Sequence, residues 1–270
     1  MRKNSAILAE SARLLGPDDP PPYRILNPEG SSNAILLCDH ASNRLPAMLG
    51  DLGLEPAHRG RHIAYDIGAA AVTERLSAHL DAVAIFCNYS RLVIDPNRPP
   101  EDYTSIRQIS DGTVIPGNLG LSQDEVSARI NEIFRPYHGM VSRLIEERRA
   151  HGVPAVVSMH SFTHFLKGRE RPWHVGILSN RDRRLAEGLL LRLRDGSDYN
   201  VADNLPYSGL DPYGYSIERH ALPAGLPNAL FEIRQDLIRD EDGQAEWADQ
   251  IGAALVAALE DPATHEIFGG

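Results

Sequence analysis

His40 and His160 each close a short apolar run. AILLC at 34–38 leads into DHASNRLP, and AVV at 155–157 leads through Ser158 and Met159 into HSFTH at 160–164. Imidazole ligates divalent metals or carries protons near neutral pH, so two of them placed after uncharged, branched runs are candidates for one shared site. A single histidine in such a place is ordinarily a satisfied structural residue, and the weight comes from its company. Asp39 and Asn43 flank His40, and Asn88, Tyr89 and Arg91 follow VAIFC at 83–87. Asp95, Asn97 and Arg98 follow LVI at 92–94, and Glu232 and Arg234 lie in the late ALFEIRQ run. In open α/β sheets, ligands and chemistry gather beyond the carboxyl ends of the strands, where all of these groups would lie.

A catalytic zinc site needs three neutral or anionic protein ligands and one open position. His40 and His160 supply two. The third is Asp66, at the start of a helix, or Asn43, placed where a His-x-x-Glu motif would carry its carboxylate. An amide is a poor zinc ligand, so Asp66 is preferred, although an acidic residue there also suits the helix macrodipole without any metal. Asn97 and Arg98 form a candidate carboxylate clamp, since guanidinium pairs bidentately with carboxylate and the amide adds a donor. The same DPNRP stretch also reads as a plain turn. His164, His174 and His220 are secondary candidates, and Tyr207, Tyr213 and Tyr215 either line a pocket or stiffen a Gly-Pro loop.

The elements that must position these groups alternate in type. Strands are expected at 34–38, 83–87, 92–94, from 155, at 173–178 and at 229–233. Helices are expected at 66–80 and 182–194, and from a capping box of Ser122 and Glu125, with Pro136 kinking that last one. A C-terminal helix carries Trp247, Ile251, Leu255 and Leu259 on one side, and residues 1–16 read as a short amphipathic helix before the GPDDPPP break. Residues 99–121, rich in Pro, Gly, Asp and Ser, form a long excursion over the site. The alternation predicts one α/β domain over 1–270, with 1–30 as an N-terminal extension and a largely parallel or mixed central sheet flanked by helices.

With 37 acidic against 27 basic residues the net charge is −10, which argues against an extended phosphate-binding surface and hence against a nucleic-acid partner. No stretch approaches the roughly 20 apolar residues of a membrane span, and the N-terminus lacks the pattern of a signal peptide, so a cytoplasmic setting is expected. Cys38 and Cys87 each end an apolar run and read as buried free thiols.

HSF at 160–162, DPNR at 95–98 and FEIRQ at 231–235 resemble the zinc carboxypeptidase and aspartoacylase superfamily. More closely, DHASN, YDIGA, SRLVIDPNR, HSF, NLPYSG and ALFEIRQDLI, in that order over residues 33–258, resemble the N-formylglutamate amidohydrolase family. The resemblance implies a zinc-exopeptidase/phosphorylase-hydrolase-like fold. It implies a metal-dependent hydrolase, with zinc or another divalent ion, that splits a small N-acyl amino acid and belongs to histidine degradation. It carries metal binding to His40 and His160, substrate binding to Asn97 and Arg98, and the general base to Glu232. Arg44 or Arg91 is then expected to hold the side-chain carboxylate or the oxyanion. This chain departs from the superfamily in reading HASN where His-x-x-Glu is usual. The alternatives are a carboxypeptidase or peptidoglycan-peptide amidase on the same scaffold, and a binding protein that has lost catalysis.

Overall fold

Runs of branched, uncharged residues become interior strands when both faces of a sheet are covered. The computed structural model describes residues 13–210 and 214–269. Its strands are β1 (Tyr23–Leu26), β2 (Ala34–Cys38), β3 (Val83–Cys87), β4 (Ile109–Ser110), β5 (Thr113–Val114), β6 (Ala155–Phe162), β7 (Phe165–Leu166), β8 (Arg169–Glu170), β9 (Val175–Leu178), β10 (Val201–Asp203) and β11 (Asn228–Arg234). Seven make one sheet in the order β1-β3-β2-β6-β11-β9-β10, and β4–β5 and β7–β8 are separate hairpins. β3, β2, β6 and β11 run parallel, while β1 joins β3 and β9 joins β11 antiparallel. The fold is a single α/β domain with a mixed sheet, as the alternation predicts.

The helices are α1 (Pro56–Arg59), α2 (Ala69–Leu80), α3 (Gln123–Arg129), α4 (Arg135–Arg149), α5 (Arg184–Arg194), α6 (Ser216–His220) and α7 (Glu241–Leu259). The two-residue period of the strands divides the core between the two sheet faces. Leu36, Cys38, Val157, Met159 and Phe231 pack with Val72 and Leu76 of α2, Leu189 of α5, and Trp247, Ile251 and Leu255 of α7. Ile35, Leu37, Ile85 and Val156 face the other way, onto Tyr137, Val141 and Leu144 of α4 and Ile217 of α6. Both cysteines are buried free thiols.

Several expectations need correction. Leu92–Ile94 is fully buried but is not a strand. Ser90 turns the chain by accepting Val93 N–H, and the Leu92 and Val93 carbonyls are taken by the side chains of Asn118 and Arg129 at 2.8 and 2.9 Å. Side-chain donors thus replace a neighbouring strand. Helix α2 begins at Ala69 and not at Asp66, because Gly68 sits at φ +79 with a Cβ position only 2.2 Å from the Ile238 carbonyl oxygen. Only glycine fits there, and Asp66 is left free of the helix to point elsewhere. At Pro136 the helix absorbs the missing donor through a π turn at Ile130–Phe134, where Arg135 N–H bonds back to Ile130. Of the helix expected at 1–16, residues 1–12 lie outside the described part and 13–16 are not helical; Tyr213 is also outside it.

Chain order decides where a site forms. From β2 the chain moves outward to β3, then returns to β6 on the opposite side of β2, so a crevice opens between the carboxyl ends of β2 and β6. His40 follows β2, and His160 lies near the end of β6.

Candidate active site

Three buried side chains meet in that crevice: His40, Asp66 and His160. Asp66 Oδ2 stands 2.8 Å from His160 Nδ1 and 3.2 Å from His40 Nδ1, and the two Nδ1 atoms are 3.2 Å apart. Asp66 N–H bonds to the His40 carbonyl, and Ser161 Oγ bonds to the Ile67 carbonyl, so backbone contacts tie the three segments together.

The far nitrogens of both rings are also engaged. His40 Nε2 lies 2.7 Å from Asp95 Oδ1, and His160 Nε2 lies 3.0 Å from Ser158 Oγ and 3.3 Å from Asp39 Oδ2. An ionised carboxylate only accepts, so Nε2 of each ring carries a proton and Nδ1 is turned to the centre. Carboxylates behind imidazoles are the usual means of orienting metal-binding histidines. Asp39 is itself held by Tyr137 and Ser216 hydroxyls, each at 2.8 Å.

The electrostatics follow from this packing. Burial alone would lower the His160 pKa, but its bonds to Asp39 and Asp66 raise it to about 10. Burial would raise Asp39, Asp66 and Asp95, yet the imidazoles, and for Asp95 chiefly Arg91, hold all three well below the usual carboxylate range. Two nitrogens and one carboxylate oxygen converge on a common point. Their separations come close to the edge of about 3.3 Å expected for a tetrahedron with zinc-like bonds of about 2.0–2.1 Å. The cluster could therefore hold a metal ion.

These residues line a cavity of about 510 Å³ that also takes in Arg91, Asn97, Arg98, Arg107, Tyr207, Glu218 and Glu232. Glu232 is the register partner of His160 across the β6–β11 ladder, so both side chains leave the same face of the sheet. Its Oε2 is buried without a hydrogen-bond partner, and burial pushes its pKa up to about 7. Arg234, two residues on and on the same strand face, does not pair with it; its Nε bonds Asp236 at 2.9 Å.

The motif model of the N-formylglutamate amidohydrolase family matches residues 32–239, which contain every residue of this constellation. The chain belongs to the N-formylglutamate amidohydrolase family. Among solved structures it resembles a gene product from Agrobacterium tumefaciens, at 37% identity and a TM-score of 0.88, over 92% of this chain and 98% of that one. It also shares the fold of an N-formylglutamate amidohydrolase from Ralstonia eutropha, at 21% identity and a TM-score of 0.61, over 88% of this chain and 97% of that one. Among curated proteins none matches.

In this amidohydrolase-family chain the HASN segment turns Asn43 away from the cluster. Asn43 is exposed and donates to the Arg59 carbonyl at 3.0 Å, outside the cluster, whereas Asp66 is inside it. Arg91 lies in the cavity, but its guanidinium is engaged by Asp66 at 3.3 Å and Asp95 at 2.9 Å. Arg44 is exposed and lies outside the residues lining the cavity. Asn97 lines the wall, with its Oδ1 taken by Tyr215 and Ser216 N–H at 2.7 and 3.0 Å, and Arg98 Nη1 donates to the Asn97 carbonyl at 2.6 Å.

The secondary histidines separate. His164 pairs with Glu170 on a surface hairpin, and His174 Nδ1 accepts Asn200 N–H. His220 stacks on buried His138, whose Nε2 donates to the Pro96 carbonyl at 2.8 Å, just before Asn97. His138, Arg107 and Glu218 are absent from the sequence reading. Arg107 sits in the irregular 99–121 excursion, and neither His138 nor Glu218 follows a strand. Tyr207 does line the cavity, while Tyr215 packs on Phe134 and His138.

Proposed function

We propose that this chain hydrolyses the amide bond of a small N-acylated acidic amino acid, N-formylglutamate first, releasing formate and glutamate. The observation that carries this reading is Glu232. It is an unpartnered, proton-hungry carboxylate lining the same cavity as the His40–Asp66–His160 cluster, with arginines on the wall. Family membership and the Ralstonia eutropha neighbour's own activity support the choice of substrate.

His40, Asp66 and His160 would hold a divalent ion, with zinc suited to two imidazoles and a carboxylate. Bound there, it supplies Lewis acidity toward the acyl carbonyl and the attacking water. Asn97 and Arg98 orient the substrate through its α-carboxylate. Glu232 takes a proton from water at a carboxylate oxygen as the O–C bond forms, then delivers it to the amide nitrogen as the C–N bond breaks. A base with a pKa near 7 is matched to both halves of that transfer. Incubating the purified enzyme, reconstituted with zinc, with N-formylglutamate and measuring formate and free amine tests the reading. No release above the rate of zinc alone overturns it.

A second reading, hydrolysis of short N-acyl peptides, is favoured by the cavity volume of about 510 Å³. Cavities of that size typically hold drug-sized ligands, larger than N-formylglutamate. A panel of N-formyl and N-acetyl amino acids against short peptides distinguishes the two.

A further inference from the structure

A dianionic acyl amino acid needs a second cation besides the one at its α-carboxylate. Four basic side chains line the cavity: Arg91, Arg98, Arg107 and Lys167. Arg91 is committed to Asp66 and Asp95, and Lys167 is exposed in the turn between β7 and β8, where water screens it.

Arg107 differs from Arg91 in having no carboxylate partner among the described residues, and from Lys167 in being half-buried. Its Nε is buried without a hydrogen-bond partner, and no carboxylate among the described residues pairs with its guanidinium. Burial, and then the positive charge of Arg91, act against its cation and lower its pKa from the usual guanidinium value. A half-buried cation beside other cations, with an unsatisfied donor, is costly unless an anion completes it. The backbone that carries it is well anchored. The Arg107 carbonyl accepts Asn118 Nδ2 at 2.7 Å, and Asn118 Oδ1 accepts Arg129 Nη1 at 2.6 Å within the buried wall. A strand-like tie from Ile115 N–H to the Gln108 carbonyl, at 2.8 Å, closes the loop beyond it. The guanidinium is thus presented from fixed backbone, which saves the ordering of the loop when it binds.

We propose that Arg107 receives, through its guanidinium fork, the side-chain carboxylate of the substrate and makes the cavity selective for dianionic acyl amino acids. This rests on the amidohydrolase reading for the identity of the substrate, but the anion site itself does not. Arg107 would then take the role expected of Arg44 or Arg91.

The first test is binding. Glutarate and butyrate share a carboxylate and chain but differ in the second charge, and calorimetry on the zinc-reconstituted protein compares them. Wild type should prefer glutarate by about 10-fold or more, the scale of a hydrogen-bonded charge. In Arg107→Gln the preference should shrink to within about 3-fold, with Arg107→Lys intermediate because it keeps charge but not the fork. The second test is kinetic. The kcat/KM ratio of N-formylglutamate to N-formylglutamine should fall in Arg107→Gln, mainly through KM for the charged substrate. A wild type that prefers glutarate yet hydrolyses neither compound counts against the reaction and leaves the anion site supported. A full glutarate preference in Arg107→Gln overturns the assignment whatever the reaction. If Arg107→Gln does not fold, Arg107→Lys decides, and a wild-type preference there overturns forked recognition.

Discussion

The two sides of the cavity contrast in how their polar groups are spent. On the β2–β6 side, both nitrogens of His40 and of His160 have partners, and Asp39, Asp66 and Asp95 each take several donors. Elsewhere in the wall, Glu232 Oε2 and Arg107 Nε are buried with none. Paired groups are held in one geometry before anything arrives, which suits a resident ion. Unpaired ones carry a desolvation cost that a transient visitor relieves, which suits substrate and water. One cavity thus joins a wall of mutually paired groups to buried groups that have no partner.

The largest effect should come from stripping the paired side. Wild type should hold about one divalent ion per chain, and His40→Ala/His160→Ala should hold none while remaining folded, by elemental analysis after zinc reconstitution. Full retention would remove the cluster as the metal site. On the unpaired side, Glu232→Gln should cut turnover by about 10²-fold or more with metal content and folding intact. Near-normal turnover would rule out the base, and loss of folding would make Glu232 structural.

Smaller effects sharpen the contrast. Asp66→Ala should weaken metal binding by about 10-fold or more, and Asn43→Ala should leave it unchanged within about 2-fold, in competition with a chelating dye. An equal loss in both would undo the choice of Asp66. Arg98→Lys should raise KM for N-formylglutamate by about 5-fold, the cost of one lost hydrogen bond, and an unchanged KM places the α-carboxylate elsewhere.

The smallest effect is a slope in stability. Burial raises Glu232 from the ordinary value 4.5 to about 7, so the metal-free folded protein binds more protons than the unfolded chain between those values. Its contribution should be fully present below pH 4.5 and lost as pH rises through about 7. Urea titrations of metal-free wild type and Glu232→Gln check this, since the difference in their stabilities should change with pH only in that window. A constant difference would show that the carboxyl is solvated.

Much of this arrangement is legible in the sequence because it follows strand ends. His40, His160 and Glu232 announce themselves by ending or interrupting apolar runs, whereas the register that sets Glu232 opposite His160 on one face is visible only in the folded sheet. Asp66 was preferred on ligand chemistry, and the geometry places it in the cluster. Arg44 shares a motif with His40, but Asn43 and Arg44 are both exposed, which motif proximity does not reveal. Leu92–Ile94 misled because an apolar run shows burial, not what its carbonyls bond to. Arg107 was invisible because an irregular excursion has no period from which to infer direction.

The His138–His220 stack has a consequence for how the molecule meets acid. The Pro96 carbonyl can only accept, so His138 Nε2 carries hydrogen, and its Nδ1 accepts from His220 Nε2 at 2.9 Å. His220 Nδ1 in turn faces Ser142 Oγ at 3.3 Å, so each ring is neutral and every donor points the same way along the line. One extra proton would set two donors head to head beneath the loop that carries Asn97 and Arg98. Burial resists this, lowering His138 and taking His220 down to about 3 from the ordinary 6.5. The unfolded chain accepts protons there first, so stability declines as pH falls from 6.5 toward 3, opposite in direction to the slope from Glu232. Falling pH thus loosens the ground beneath Asn97 and Arg98, while pH rising through about 7 works against the buried Glu232 carboxyl. The molecule is wired to be firmest between the two.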